Sequence, residues 1–328
     1  MVNNTFLVLR FSAMGDVAIA ASVMKEVAAQ NPDCRFVFAT RAFFAPFFDD
    51  IPNLELFPID FKEKYKGLKG IFKLYKDLKN NYKIDAVADL HNVLRSKLLT
   101  FCFRLSFNKI KIATINKGRK EKRVLCREKT VGKKQLKPVW QRYVDVFQKL
   151  NIDAEIKPPV IPFHPEKVKK IGVTPFAQHK GKIYPQELLE KVLEKLSAHY
   201  EIYLFGGGKQ ERELCEFWQE KYPNTYSLVG KYSLKEELNL ISTLDVMLSM
   251  DSSGTHLASL CHIPCVSVWG ATHPYSGFVG FGQEHNPQIQ LELPCRPCSV
   301  YGNKPCKFGD YRGLYGIEPG EVIRKFKV

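Results

Sequence analysis

The sequence predicts an α/β protein of two doubly wound domains that face each other across a central cleft. Strand-like apolar runs alternate with helix-like segments in both halves, an order typical of parallel sheets with right-handed crossovers. The length of 328 residues suits two domains of ordinary size. Four prolines within residues 157–165 can continue neither a helix nor a central strand. We therefore predict domains at residues 1–157 and 158–328.

In the first half, short apolar runs give the strands and longer segments with a periodic apolar face give the helices. Residues 116–135 are too polar and basic for a core, and we expect a mobile loop or a surface hairpin there. The predicted elements are strand 6–9, helix 17–30, strand 35–39, helix 68–80, strand 84–88, helix 95–105, strand 109–113 and helix 140–150.

The second half restarts the same alternation after the prolines, with no repeat at a fixed period. Two doubly wound domains side by side would form a cleft, the usual place for a ligand. The predicted elements are strand 170–174, helix 185–198, strand 201–205, helix 210–221, strand 226–229, helix 234–242, strand 246–250, helix 254–261 and strand 265–269.

Positive charge is concentrated in one part of the chain. Residues 62–137 hold 23 Lys or Arg against six acids, whereas the whole protein has a net charge of +15. A surface of that density attracts phosphates on nucleic acid, on an anionic membrane or on a phosphorylated glycolipid. A face that only keeps the protein in solution is the other interpretation.

Cysteine use and hydropathy favour a cytoplasmic protein. Nine cysteines, an odd number in a chain with no apparent secretory signal, indicate a reducing compartment. The longest segment without Asp, Glu, Lys or Arg, residues 252–283, contains prolines, histidines and glycines, so we do not expect it to span a membrane.

The first stretch that could carry chemistry is LVLRFSAMGD, residues 7–16. It reads as a buried strand followed by a loop that ends at Asp16. Ligands of open α/β sheets bind just beyond the carboxyl ends of strands, where this loop would lie. An acid near a helix start is also common in proteins without chemistry there, so the residues alone leave both interpretations open.

The second stretch, LSMDSSGTH, again follows a strand and opens a helix. Asp251 and Ser252 are N-cap types, and Ser253 and Gly254 leave backbone N–H groups uncovered. Such a helix start favours a bound phosphate, and His256 in the first turn is within reach of it. An ordinary capped helix has the same pattern.

Two further stretches follow strands of the second half. TPFAQHKGKIYP brings Lys180 and Lys182 to the start of a helix, where one of them is suited to neutralise a diphosphate, although solvated lysines look the same. The glycine run 206–208 predicts a tight turn with close ligand approach at Gly207. It is no evidence for NAD, because Glu211 stands where the last glycine of a dinucleotide fingerprint would fall.

The late cysteines Cys295, Cys298 and Cys306 have the spacing C-x2-C-x7-C. A structural zinc site needs four ligands, no further cysteine follows, and His285 is the nearest upstream candidate. We therefore favour a reduced cysteine cluster and expect no metal and no cofactor.

Five ordered motifs, RFSAMGD, TPFAQHKGKIYP, MDSSGTHLASL, VSVWGATHP and PCRPC, span nearly the whole chain. Together they resemble glycosyltransferase family 9, whose best known members are lipopolysaccharide heptosyltransferases. The resemblance implies a GT-B fold of two Rossmann-like domains. The first would bind the acceptor and the second the nucleotide sugar.

The resemblance also implies residue roles. The acid that ends the first motif would be the catalytic base, here Asp16, and the lysine before an aromatic-proline pair would contact the donor diphosphate, here Lys182. Ser253 stands where the family has glycine, and Gly254 follows one place later. The implied donor-site residues are Thr174, Ala177, Gln178, Lys182, Gly207, Asp251, Ser252, Ser253, Gly254 and His256. The candidate acceptor-site residues are Arg10, Arg95, Lys97, Arg119 and Arg123.

The reaction so implied is an inverting, metal-independent transfer of heptose from ADP-heptose to a lipopolysaccharide core or lipid A acceptor. The enzyme would be cytoplasmic, in peripheral contact with the inner membrane, and would bind no nucleic acid. A basic nucleic-acid-binding protein and a glycan-binding relative without turnover are the alternatives, and no recognition-helix or stacking motif supports the first of these.

Overall fold

The computed structural model describes residues 4–106, 110–127 and 133–328, which form two compact units. The first unit comprises Met1–Lys117 and Val139–Lys157, and the second comprises Gly118–Pro138 and Pro158–Val328. Residues 118–127 and 133–138, which the sequence places in the first domain, thus belong to the second unit. The expected loop or hairpin there is wrong, because Arg119–Arg127 is a helix.

The first unit contains a parallel sheet of five strands in the order β3-β2-β1-β4-β5. The sequence analysis missed β3, an edge strand that is only half buried and ends in a proline, as edge positions allow. The strands are β1 (Asn4–Leu9), β2 (Cys34–Thr40), β3 (Leu54–Pro58), β4 (Ala86–Asp89) and β5 (Lys111–Thr114).

Helices cover this sheet and bury its apolar side chains. The first of them is buried along most of its length, which explains why it is rich in alanine and valine. The next two pack on each other as well as on the core. The first five helices are α1 (Met14–Gln30), α2 (Gly67–Asn81), α3 (Leu94–Arg104), α4 (Arg119–Arg127, in the second unit) and α5 (Val139–Lys149).

The second unit contains a parallel sheet of six strands in the order β11-β10-β9-β6-β7-β8. Its strands are β6 (Lys170–Thr174), β7 (Glu201–Leu204), β8 (Thr225–Ser227), β9 (Val246–Met250), β10 (Cys265–Val268) and β11 (Gln288–Ile289). Its further helices are α6 (Gln186–Ser197), α7 (Lys209–Lys221), α8 (Leu234–Ile241), α9 (Ser253–Leu260), α10 (Arg312–Tyr315) and α11 (Pro319–Ile323). Within the described ranges, no helix combines the length and the apolar composition needed to cross a bilayer.

Both sheets have a topological switch point at their centre. The chain leaves β1 in one direction towards β2 and returns on the other side at β4, and β6 stands between β7 and β9 in the same way. Leu9 pairs with Asp89 in one sheet and Thr174 with Ser249 in the other, so neighbouring strands end at the same level. Loops at such an edge leave a crevice that suits a ligand.

Candidate active site

Asp16 lies in the first turn of α1, because the helix begins at Met14. The expectation that Asp16 lies on the preceding loop is wrong by this one turn. A carboxylate at this position is favoured by the positive end of the helix dipole. Its side chain keeps 30% of its surface exposed, so a second molecule can reach it.

A buried arginine holds this carboxylate. Arg10 directly follows β1, and its Nη2 lies 2.5 Å from Oδ2 of Asp16, while Nη1 donates to the backbone carbonyl of Leu90 at 2.9 Å. The guanidinium also lies 5.9 Å from the ring centre of Tyr143. Arg10 is therefore placed to hold the Asp16 carboxylate, and its contact with the acceptor stays a prediction.

The loop after β4 supports the same arrangement. The buried carboxylate of Asp89 accepts hydrogen bonds from the N–H groups of His91 and Asn92, at 2.9 and 2.8 Å, and from the hydroxyl of Ser96 at 3.0 Å. These bonds fix the loop that carries the carbonyl of Leu90. The sequence analysis missed this loop, whose only signal is an acid and a histidine after a short strand.

His91 faces the first-motif loop as a neutral imidazole. The N–H of Phe11 donates to Nδ1 of His91 at 3.3 Å, which leaves the ring proton on Nε2. Burial, together with the positive charge of Arg10, lowers the pKa of His91 to about 3. His91 is thus a neutral hydrogen-bonding group at neutral pH.

In the second unit, Lys182, Asp251 and Thr272 form a connected set. The Nζ of Lys182 lies 3.0 Å from Oδ2 of Asp251, and the hydroxyl of Thr272 donates to the same oxygen at 2.6 Å. The three residues follow β6, β9 and β10, so the sheet order brings them together. Asp251 is nearly buried, and its carboxylate holds the lysine ammonium in place.

Close packing at the start of α9 explains why glycine stands at position 254. The hydroxyl of Thr174 donates to that of Ser249 at 2.6 Å. A Cβ atom on Gly254 would fall 2.0 Å from Oγ1 of Thr174 and 2.6 Å from Oγ of Ser249, so only glycine fits there. Ser252 is the N-cap residue but its side chain makes no capping hydrogen bond, and Ser253 is the first helical residue.

The other predicted donor-site residues are less closely connected. Ala177 is half-buried and packs against the second core, whereas Gln178 is exposed in the loop after β6. His256 is buried in α9. The N–H of Gly207 donates to the carboxylate of Glu211 at 2.6 Å, so this N–H already has a partner within the chain.

Arg296 is a structural centre that the sequence analysis missed. Its buried guanidinium donates to the carbonyls of Gly270 and Leu291, and to those of Trp269 and Thr272 at 2.9 Å each. Burial lowers the pKa of Arg296 to about 10. These bonds shape the loop after β10 and so place the threonine that contacts Asp251. The only signal for it in the sequence is the arginine between the two cysteines of PCRPC.

The candidate acceptor residues are divided between the units. Arg95 and Lys97 are exposed on α3 in the first unit, and the Arg95 guanidinium lies 4.7 Å from the ring centre of Phe61. Arg119 and Arg123 are exposed on α4 and belong to the second unit. Their predicted place in the first domain differs from the division that the structure shows.

The late cysteines are thiols. Burial raises the pKa of Cys298, and the neighbouring Cys295, Cys306 and Cys126 add to that rise. Cys126 comes from α4, far away in the sequence. Across residues 4–106, 110–127 and 133–328, no three His, Cys, Asp or Glu side chains are grouped as metal ligands would be.

Comparison with proteins of known sequence gives relatives of nearly the same length. Lipooligosaccharide heptosyltransferase 2 of Campylobacter jejuni is 24% identical, with 96% of this chain and 94% of the relative aligned. The lipopolysaccharide core heptosyltransferase OpsX of Haemophilus influenzae is 23% identical over 81% of this chain and 79% of the relative.

Solved structures share the fold. A family 9 glycosyltransferase from Veillonella parvula superposes with a TM-score of 0.74 at 16% identity, covering 99% of this chain and 96% of that one. The E. coli heptosyltransferase WaaC with ADP gives a TM-score of 0.69 at 17% identity, covering 98% and 99%. The GT-B arrangement of two Rossmann-like domains, predicted from the resemblance, is therefore confirmed as the fold class.

The family itself is established by a match to the model of glycosyltransferase family 9 (heptosyltransferase) over residues 71–308, well over half of the chain. The match includes the second-unit motifs around Lys182, Asp251 and Arg296. The chain belongs to glycosyltransferase family 9 and is a glycosyltransferase.

Proposed function

We propose that this enzyme transfers heptose from ADP-heptose to a lipopolysaccharide core or lipid A acceptor, with inversion at the anomeric carbon and without a metal. The names of the relatives support the sugar and the acceptor class, since they are heptosyltransferases of lipooligosaccharide and lipopolysaccharide. The structure of WaaC with ADP supports the nucleotide. The residues of this chain support the chemistry.

The observation that carries the proposal is the Asp16–Arg10 pair. Asp16 is exposed enough to accept a proton from an acceptor hydroxyl, and the buried Arg10 fixes its orientation at 2.5 Å. A base within hydrogen-bond reach makes that hydroxyl a better nucleophile as it attacks the anomeric carbon. Attack on the face opposite the leaving nucleotide inverts the configuration.

The second unit supplies charge for the departing nucleotide. The Lys182 ammonium and the N–H groups at the start of α9 would stabilise negative charge as it grows on the diphosphate. Asp251 and Thr272 hold the lysine beforehand, so little reorganisation is needed at the moment of reaction. These groups supply the positive charge that a divalent cation provides in other transferases, which is why we propose a metal-independent reaction.

The acceptor is proposed to be anionic. Arg95 and Lys97, exposed on α3, are suited to contact its phosphates, and Arg119 and Arg123 on α4 add positive charge in the second unit. A glycolipid acceptor would place the enzyme at the cytoplasmic face of the inner membrane, in peripheral contact with it.

The test is a transfer assay with ADP-heptose and a lipopolysaccharide core acceptor, with the product's anomeric configuration read by NMR. We expect an inverted product, unchanged turnover in EDTA, and for Asp16→Asn a fall in kcat of at least about a thousandfold. The variant should still show the rise in Tm that ADP gives the wild-type enzyme. Full turnover by Asp16→Asn would refute the role of the base, and ADP binding without any turnover by the wild-type enzyme would favour the non-catalytic alternative.

A further inference from the structure

Helix α3 presents an apolar face to solvent. Leu94, Leu98, Phe101 and Leu105 recur at intervals of four, three and four residues and therefore lie on one side of the helix. Leu94, Phe101 and Leu105 are 57% to 73% exposed, while Leu98 is half-buried. The opposite side of α3 is already buried in the first core, so this outer stripe is additional apolar surface.

Helix α2 extends this apolar surface. Leu68 and Phe72, one turn apart, are 74% and 53% exposed. The Phe72 ring lies 6.1 Å from the Tyr75 ring, which in turn lies 5.0 Å from the ring of Phe103 on α3. Phe103 is buried, so this contact packs the two helices against each other beneath the surface and makes them neighbours. We call the exposed apolar side chains of these two neighbouring helices the α2–α3 surface and define it by Leu68, Phe72, Leu94, Phe101 and Leu105.

Cations surround the α2–α3 surface. The one acid within α2 and α3, both fully described, is Asp77, which accepts from the Tyr65 hydroxyl at 2.8 Å and pairs with Lys64 at 3.2 Å. The exposed cations on the two helices therefore far outnumber this one acid, whose charge is shared between Lys64 and Lys73. These exposed cations are Lys69, Lys73, Lys76, Lys79, Arg95, Lys97 and Arg104.

We propose that the α2–α3 surface docks the enzyme on an anionic lipid bilayer, with its leucine and phenylalanine side chains among the acyl chains and its lysines and arginines on headgroup phosphates. Large exposed apolar groups ringed by Lys and Arg are the pattern of interfacial membrane-binding helices. Nucleic acid would use the cations but has no use for exposed leucines. In a symmetric dimer this surface would face its own copy and bring like charges together.

Binding to a bilayer depends only on the side chains of this surface and not on the proposed function. Its biological purpose, access to a membrane-borne acceptor, does rest on the proposed function. The experiment is co-sedimentation of the full chain with phosphatidylcholine vesicles and with vesicles that also contain phosphatidylglycerol. We expect strong binding only to the anionic vesicles, weakened by salt.

Two variants separate the apolar and the charged contributions. The triple variant Phe72→Ser, Phe101→Ser, Leu105→Ser should lose about tenfold or more in partitioning, because insertion of each apolar side chain is favourable. The variant Lys69→Gln, Lys73→Gln, Lys76→Gln should lose roughly fivefold per charge on anionic vesicles only. The matched control is Phe217→Ser, a 48% exposed phenylalanine on α7 of the second unit, which should bind like the wild-type enzyme.

Several results would overturn the proposal. Equal binding by the triple variant and by Phe217→Ser would do so, as would a wild-type enzyme that ignores anionic vesicles. A fall in the sedimentation coefficient of the triple variant would instead make the surface an interface between copies. Transfer to a lipid-free core oligosaccharide should be unchanged in the triple variant. If the wild-type enzyme binds vesicles as expected but transfers no sugar, the proposed function fails and the docking surface stands.

Discussion

Replacing Arg10 with glutamine tests the arrangement of the first unit most directly. The guanidinium now contacts the Asp16 carboxylate at 2.5 Å and the Leu90 carbonyl at 2.9 Å from a site in which the arginine side chain is only 6% exposed. Glutamine is shorter and carries no charge, so it cannot replace the ion pair with Asp16. The variant therefore leaves Asp16 without its fixed partner while keeping the carboxylate itself.

The magnitude follows from burial. Removing one partner of a fully buried ion pair costs about 3–5 kcal/mol of unfolding free energy. Asp16 is 30% exposed, so solvent takes over part of the lost interaction and we expect about 2–3 kcal/mol for the first unit. For turnover, a base displaced by about 1 Å loses on the order of a hundredfold in kcat. Arg10→Lys keeps the charge without the planar fork and should recover only part of kcat.

The assay measures kcat and KM for the donor together with urea unfolding. The matched control is Arg35→Gln, since Arg35 pairs with Glu55 at the same 2.5 Å but both side chains are 46% exposed. An exposed pair contributes under about 1 kcal/mol, so that control should change neither stability nor turnover appreciably. We expect Arg10→Gln to lower kcat with little effect on the donor KM. Equal kcat values for the folded Arg10→Gln and Arg35→Gln enzymes would refute the positioning role.

Three further predictions address both units. Gly254→Ala should cost about 1–3 kcal/mol of unfolding free energy and weaken the Tm shift given by ADP. Its control is Gly207→Ala, whose Cβ would meet no atom within 4 Å and which should change the free energy of urea unfolding by less than about 0.5 kcal/mol. Arg296→Met should lower the stability of the second unit by about 3–5 kcal/mol in calorimetry, because it strands buried carbonyls, while the exposed Arg312→Gln should not. The pKa of His91 is about 3 in the folded protein and near 6.5 in the unfolded chain, so the free energy of unfolding falls as the pH drops below 6.5, by about 2 kcal/mol at pH 5. His91→Gln should make urea unfolding at pH 7 and at pH 5 more nearly equal.

Local patterns explain how much of the fold was predictable. Central strands such as β1 and β9 are short apolar runs with loop signals after them, and their predicted bounds match the structure within about two residues. The position of Asp16 and Lys182 after strands is equally local. What the local pattern does not contain is the partner of each group. Arg10 meets a carbonyl 80 residues away, and only the strand order β1-β4 brings the two together.

Helix α4 shows why a tertiary contact can override sequence composition. Its residues are strongly polar on average, and just Lys122 and Leu125 among them are buried. The Lys122 ammonium lies 4.0 Å from the ring centre of Phe278, which is more than 150 residues further along the chain. A lysine that packs its stem and places its charge on an aromatic ring is stabilised by that ring. The average polarity of the segment gives no sign of a partner so far along the chain, so the helix and its membership of the second unit were both missed.

The Arg10–Asp16 and Lys182–Asp251 ion pairs each join a nearly buried side chain to a more exposed one, and this difference bears on which member of each pair meets the substrate. In the Arg10–Asp16 pair the arginine side chain is 6% exposed and the carboxylate 30%, whereas in the Lys182–Asp251 pair the carboxylate is 6% exposed and the lysine 17%. In each case the nearly buried partner is held by further hydrogen bonds, to the Leu90 carbonyl and from the Thr272 hydroxyl. Desolvating a charge is costly unless it is paired, so the buried member is committed to its partner and the exposed member is the one left to act. That asymmetry supports the proposed roles, an acid on the acceptor side of the reaction and a cation on the donor side, because base-assisted transfer from a nucleoside diphosphate requires that division.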